Sequence, residues 1–339
     1  MQPNNTQQTD YGLVRDMLAT ADIIASFDAN SMIETAGAIA KVGKLLMTGE
    51  GSSRLFPAKS AIVYACQTGI PLHLHTEAGR QAQEYQLGDS AVFALSNSGR
   101  TAEVIGLFSA LKAQGHAQLY SLTAFADSKL ESFATRGYVL SCGKEGAVAA
   151  TKSVVEQALF YRALIEHAGD KFSLTGQLAA LSNAFRTALT TEIDPKIIQQ
   201  IANAGTIYWA GRNDGVAEEL TLKTNEITRK ASDFLEGTYA VHGVEEVMQA
   251  DDVLIWVDPY SDSEEKFAEV LERGVGLTII AIASRPTQFP TIQIPDAGDL
   301  DCFAQMAAGW NVLVDVGLQL GINIDKPERA RKVGNEFTG

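Results

Sequence analysis

The sequence predicts an α/β chain with two doubly wound parallel sheets in tandem, and three observations carry that expectation. Short apolar runs alternate with stretches of helical length. Each of the main runs empties into a turn rich in Gly, Ser or Asp. The whole pattern then occurs a second time at a similar spacing, as a duplicated doubly wound unit would.

Taken in order, residues 1–40 read as helical, with Leu13, Met17, Ile23 and Ile24 at near-helical spacing. Lys44–Thr48 is an apolar run entering the turn Gly49–Ser53, and Arg54–Gly69 has the length of a helix stopped by glycine. Ala91–Leu95 is the second run, entering Ser96–Thr101; a helical stretch follows to Gly115, and Gln118–Leu122 is the third run. In the second half, Thr206–Ala210 leads to a turn with Gly211 and Gly215. Val253–Val257 leads to Asp258–Ser263, and Leu277–Ile282 closes the set. A last helix is expected over Phe303–Leu320. The expected division is a helical segment over 1–40, a first domain over 41–170 and a helical connection over 171–195. A second domain over 196–325 and a tail over 326–339 follow.

Composition narrows the function. With 41 acidic against 27 basic residues the formal charge is −14, a field that repels nucleic acid, and no basic stripe offsets it. No apolar run is long enough to span a bilayer. Residues 1–10 lack the basic start and apolar stretch of a secretory signal. Cys66, Cys142 and Cys302 are far apart, odd in number and without metal spacing, which reads as reduced thiols and a cytoplasmic chain. No His/Cys/Asp cluster has ligand spacing, so neither metal nor other cofactor is expected.

In open α/β sheets, ligands lie beyond the carboxyl ends of the strands. The first half places Ser96-Asn97-Ser98-Gly99-Arg100-Thr101 there, with Gly51, Ser52 and Ser53 at the previous strand end. Three hydroxyls, a flexible glycine and the unpaired N–H groups of a helix start suit a phosphate dianion. The same residues also suit a plain helix cap, and the loop alone does not separate the two readings. The second half presents Asp258 and Asp262 instead, so one phosphate site per chain is expected.

Val216–Lys230 is the most informative helix. At about 100 degrees per residue, Leu220 and Ile227 fall on the face of Val216, and Lys223 lies within about 20 degrees of it. Glu219 and Glu226 stand at the edge of that stripe, within i, i+4 and i, i+3 reach of Lys223. A buried lysine needs such counter-charges. A solvated ion-pair ladder on a helix of slightly different phase satisfies the same spacing.

Ser-x-Ser-Gly-x-Thr after one strand, with Gly-x-Gly-Ser-Ser after the preceding one, resembles the SIS (sugar isomerase) family. In particular it resembles the isomerase half of glucosamine-6-phosphate synthase and its relatives without a glutaminase domain. The resemblance spans about Ser31 to Lys332 and implies tandem flavodoxin-like SIS domains. It implies that Ser52, Ser53, Ser96, Asn97, Ser98 and Thr101 bind the phosphate, Asn97 replacing a glutamine. In Glu145–Lys152, Val148 and Ala150 match residues lining the sugar, with Ala150 where a serine is common. Lys223-Thr-Asn-Glu226 followed sixteen residues later by His242-Gly243 matches the family's spacing. By resemblance Glu226 is the base moving a proton between C1 and C2, and His242 assists ring opening from a neighbouring subunit of a homodimer. Glu236–Val241 departs from the usual family sequence and leaves sugar selectivity open. Lys332 matches a tail lysine that reaches the sugar, although a solvated basic tail fits Asp325–Lys332 equally. His73, His75, His116 and His167 lack any such context and read as structural.

The reaction expected is Glu-mediated proton transfer on a 6-phosphorylated aldose, ketose or amino sugar through an enediol or enolamine. Isomerase, deaminase and fructosamine-6-phosphate deglycase share that intermediate. With Met1 first and no glutaminase segment, synthesis from glutamine is not expected. A non-catalytic sugar-phosphate-binding regulator is the alternative of another class. The expected partner is a small sugar phosphate, with no nucleic acid and no membrane.

Overall fold

The computed structural model describes Met1 and residues 5–338. Two five-stranded sheets are present, each wholly parallel. The first contains β1 (Lys44–Gly49), β2 (His73–Ala78), β3 (Ala91–Ser96), β4 (Leu119–Thr123) and β5 (Arg136–Val139), in the order β2-β1-β3-β4-β5. The second contains β6 (Ile207–Gly211), β7 (Ser232–Glu236), β8 (Val253–Val257), β9 (Thr278–Ala283) and β10 (Thr291–Gln293), in the order β10-β9-β8-β6-β7. Counted from its own first strand, the second order repeats the first. The tandem doubly wound expectation holds.

The six runs read from the sequence are the interior strands, and the four strands it did not announce are the four edges. The cause is burial. A parallel strand covered on both faces reads as continuous apolar residues. Thus β3, β4, β6 and β8 are buried at every position. Edges are covered less and carry polar residues that discourage pairing with other chains. His-Leu-His-Thr-Glu-Ala in β2 and Ser-Asp-Phe-Leu-Glu in β7 therefore lack the apolar run that marks a strand.

Helices cover the sheets as the crossovers require. Leu55–Thr68 ends on Gly69 with φ +66°, a left-handed C-cap that glycine adopts without a Cβ clash. Lys152–Ala168 is buried from Ser153 through Glu166, so it shows no amphipathic stripe. Its ionisable residues are matched internally. Glu156 accepts bonds from Ser141 N, Ser141 Oγ and Cys142 N, and Arg162 pairs with Glu166 at 2.8 Å while lying 3.3 Å over the Tyr64 ring.

The chain forms two compact units. One holds the first sheet and comprises Asp22–Glu145, Ala150–Ala179 and Ala330–Gly339. The other holds the second sheet and comprises Met1–Ala21, Gly146–Ala149 and Ala180–Arg329. At the centre of the first, the Phe93 ring meets Tyr120, Tyr138, Phe160 and Tyr161 at centroid distances of 5.4–6.1 Å. In the second, Trp209, Trp256 and Trp310 are fully buried, and Trp256 stacks on Phe267 at 3.6 Å. No helix among the described residues is long and apolar enough to cross a membrane. Replacing the central ring of the first unit, Phe93→Ala, should cost about 3–5 kcal/mol, read from urea denaturation. A loss below about 1 kcal/mol would be incompatible with its place among four aromatic neighbours.

Candidate functional site

In the first sheet the strand order reverses between β1 and β3, and the crevice at such a switch point is where doubly wound folds hold ligands. The turns after these strands approach one another because Gly49 has no side chain. A Cβ there would lie 2.8 Å from Ser53 O and 3.0 Å from Leu95 O. Ser52 and Ser53 form a single 3-10 turn at the end of β1, next to the end of β3.

The turn Ser96–Thr101 is organised by its own hydroxyls. Ser96 Oγ and Thr101 Oγ1 share a hydrogen bond of 2.9 Å, and Ser96 Oγ also accepts from Gly99 N at 3.1 Å. Ser98 Oγ accepts from Arg100 N at 3.1 Å, which leaves the Ser98 hydroxyl proton for another acceptor. Gly99 takes φ +63°, and a Cβ on it would come within 2.4 Å of Ser128 Cβ. Asn97 is tied by its backbone, its carbonyl accepting from Ala124 N at 2.9 Å. Its Nδ2 is buried with no hydrogen-bond partner among the described residues. Thr101 is the N-cap of the helix Ala102–Ala113, one position before its first turn. Six of the predicted anion-site residues therefore surround one switch point, with hydroxyl and amide donors.

Ala150 belongs to the same unit, one residue before Thr151, the N-cap of Lys152–Ala168. Val148 belongs to the second-sheet unit, where its N–H donates to Asp325 O at 3.2 Å. Glu145, a buried carboxylate of the first-sheet unit, has no role expected from the sequence. Its Oε1 accepts from Thr151 N at 2.8 Å, Ser153 N at 3.2 Å and Ser153 Oγ at 3.0 Å. Its Oε2 pairs with Lys332 Nζ. Burial alone would raise this carboxyl, but the Lys332 charge and these donors hold it below the ordinary carboxylate range.

In the second unit the helix Val216–Thr228 follows β6 and ends on Arg229 at φ +58°. Lys223 is inaccessible to solvent, so the buried-face reading of this helix applies and the solvated ladder does not. Its ammonium lies 2.6 Å from Glu226 Oε2 and 3.2 Å from Glu219 Oε1. Glu219 is fully buried, deeper than the edge position expected of it, because the helix Asp301–Gln319 packs alongside. Glu226 keeps 25% of its side-chain surface exposed. Of the two carboxylates sharing Lys223, only Glu226 meets solvent. The turn of helix between them is fixed from the sheet side, where Trp209 Nε1 donates to Thr224 Oγ1 at 2.7 Å.

His242 is exposed just after the 3-10 turn Tyr239–Val241, with Thr238 Oγ1 at 3.4 Å from its Nε2. At the second switch point Asp258 is paired with Arg212, whose guanidinium lies 4.4 Å from the Tyr260 ring centre, and Arg285 pairs with Glu264 at 2.6 Å. Carboxylates already answer the cations there. No cluster of His, Cys, Asp and Glu among the described residues could hold a metal ion.

Residues 38–167, which carry the hydroxyl-lined turns, match the SIS domain. This chain contains a SIS domain. Beyond that segment, it is 24% identical over 98% of its length to glutamine–fructose-6-phosphate aminotransferase [isomerizing] of Aeropyrum pernix. The chain spans about half the length of the curated relatives it matches, 55% in that case. Its fold is that of the C-terminal domain of glucosamine-fructose-6-phosphate aminotransferase from Francisella tularensis. The TM-score is 0.77 at 17% identity, covering 93% of this chain and 97% of that one. Glucosamine-6-phosphate deaminase from Thermotoga maritima superposes with a TM-score of 0.72 at 16% identity, covering 95% and 99%.

The buried lysine yields a test independent of activity. Burial pulls the Lys223 ammonium down, but Glu219 and Glu226 outweigh it and hold its pKa above the ordinary 10.5. A folded-state pKa above the unfolded one stabilises at all pH values below the unfolded pKa and is lost as pH rises through the folded one. Lys223→Met, which strands two carboxylates, should therefore cost about 3–5 kcal/mol at neutral pH. The deficit relative to wild type should not shrink between neutral pH and pH about 10 and should shrink above it, measured by urea titration across pH. A deficit that shrank between pH 6 and pH 8 would contradict this pairing.

Proposed function

We propose that this chain is a phosphosugar isomerase-type enzyme acting on a 6-phosphorylated ketose, aldose or amino sugar. The observation that carries the proposal is the partly exposed Glu226 carboxylate anchored on the fully buried Lys223. The Lys223 ammonium 2.6 Å away holds this carboxylate where it meets solvent, the placement a general base requires. The hydroxyl-rich turn after β3, with the orphan amide of Asn97, supports a phosphate anchor remote from the reacting carbons.

In this reading Ser52, Ser53, Ser96, Asn97, Ser98 and Thr101 hold the phosphate. Glu226 removes the carbon-bound proton at C1 or C2, giving an enediol or enolamine, and returns it to the neighbouring carbon. His242 assists ring opening and Lys332 contacts the sugar. Binding energy from the phosphate then holds C1 and C2 against the carboxylate. The matched structures include a glucosamine-6-phosphate deaminase as well as tagatose-6-phosphate ketose/aldose isomerases, and we infer an isomerase/deaminase or a deglycase over a simple aldose–ketose isomerase. A cytoplasmic homodimer completing its site with His242 of the second copy is part of the same proposal; an odd number of cysteines, far apart in the chain, suits a reducing compartment.

Incubation in D2O with glucosamine 6-phosphate, fructose 6-phosphate and a fructosamine 6-phosphate tests the chemistry. Deuterium should enter C1 or C2 of at least one of them, with product release for the true substrate. Glu226→Gln should slow exchange about a hundredfold or more while leaving the Michaelis constant little changed. Exchange at the wild-type rate would remove Glu226 from its role, and tight binding without any exchange would mark a sugar-phosphate-binding protein instead. Mixing inactive Glu226→Gln and His242→Ala chains should restore part of the activity if the site is shared. Mixtures as inactive as their components would exclude sharing.

A further inference from the structure

The C-terminal tail, expected to be either a lysine donor or a solvated basic segment, makes further contacts beyond Lys332. It runs across the anion turn. Glu336 forms an isolated antiparallel bridge with Thr101, the residue that caps the next helix. Asn335 O accepts from Ala102 N at 3.0 Å, and Phe337 N donates to Arg100 O at 2.9 Å, so backbone bonds close on both sides of Thr101. Thr101 has the extended backbone that such pairing requires, with ψ 118°. Ala102 N is one of the helix-start donors that have no partner within the helix, and the tail supplies it.

Side chains reinforce the same contact. Arg100 Nη1 pairs with Glu336 Oε1 at 2.8 Å, and Asn335 Nδ2 donates to Glu103 Oε1 at 2.8 Å. The Phe337 ring packs against the apolar cluster that contains Val104, Ile105 and Leu130, with Lys129 Nζ 5.7 Å from its centre. A few residues earlier, Lys332 is tied to the buried Glu145. The strap is thus fastened at two places, one beside the anion turn and one at the start of Lys152–Ala168.

The turn itself has few other restraints from outside. Ala124 N binds Asn97 O and Leu130 N binds Gly99 O, both from the segment following β4. Those bonds hold its first half; the tail holds Arg100, Thr101 and Ala102. We propose that Asn335–Phe337 are positioning residues, a strap that fixes the Ser96–Thr101 turn in its anion-accepting shape. Glu145 serves as the second anchor through Lys332. The link to ligand affinity rests on the reading of that turn as the phosphate site; the link to the order of the turn does not.

The exposed Arg100–Glu336 pair contributes little by itself, so the test removes the backbone and ring contacts instead. A chain ending at Gly334, and full-length Phe337→Ala, should show faster amide exchange at Gly99–Glu103 than wild type, without any sugar present. Exchange in β3 and β4 should be unchanged. Loss of two hydrogen bonds and an aromatic contact should weaken binding of inorganic phosphate and fructose 6-phosphate about tenfold by calorimetry. In turnover, the Michaelis constant should rise by about that factor with a smaller change in kcat, and Phe337→Leu should recover most of the loss. Unchanged exchange at Gly99–Glu103 in both variants overturns the strap. Faster exchange with wild-type phosphate affinity overturns its positioning role. If wild type binds neither phosphate ligand, the phosphosugar reading fails, and with it the positioning role, while amide exchange still decides whether the strap orders the turn.

Discussion

Parallel strands cannot be joined by a hairpin, so every connection in this chain crosses over and the loops at the carboxyl ends of the strands converge where the strand order reverses. That constraint decides where chemistry is possible before any particular residue is considered. The two sheets share one strand order and hence offer two such places. What distinguishes them is what fills the loops. After β3 come serine, asparagine and threonine with donors to spare; after β8 comes Asp258, already engaged with Arg212. Duplication supplied two scaffolds, and the chemistry of their loops differs.

The charges that matter are managed by removing water and supplying partners. Lys223 and Glu219 are both without solvent access, and Glu226 reaches the surface from the same ion cluster. Glu145 is handled in the same way, with three backbone or hydroxyl donors on one oxygen and an ammonium on the other. Each arrangement is a buried ion whose desolvation is offset only if its geometry is kept.

How much of this was legible in the sequence follows from what burial writes into it. Val253–Val257 and Ala91–Leu95 are apolar at every position because both faces are covered, and they were read correctly. The edges β2, β5, β7 and β10 were not, since a half-covered strand need not carry an apolar run. Lys223 was visible because a single charge on an apolar helical face is a contradiction that demands counter-charges. Glu219 was placed too near the surface because helix phase does not say how far a neighbouring helix extends. The strap left no trace at all. Bonds from Asn335 and Phe337 to Arg100 and Ala102 are made by backbone, and backbone pairing across more than two hundred residues leaves no pattern in side chains.

The three tryptophans carry one more consequence. All of them lie in the second-sheet unit and all are fully buried, whereas the aromatic centre of the first-sheet unit is built from phenylalanine and tyrosine. Emission excited at the red edge of indole absorption therefore comes from one half of the molecule only. Paired with far-ultraviolet circular dichroism, which sees both halves, it separates the melting of the unit that bears Glu226 from that of the unit that bears the hydroxyl turn.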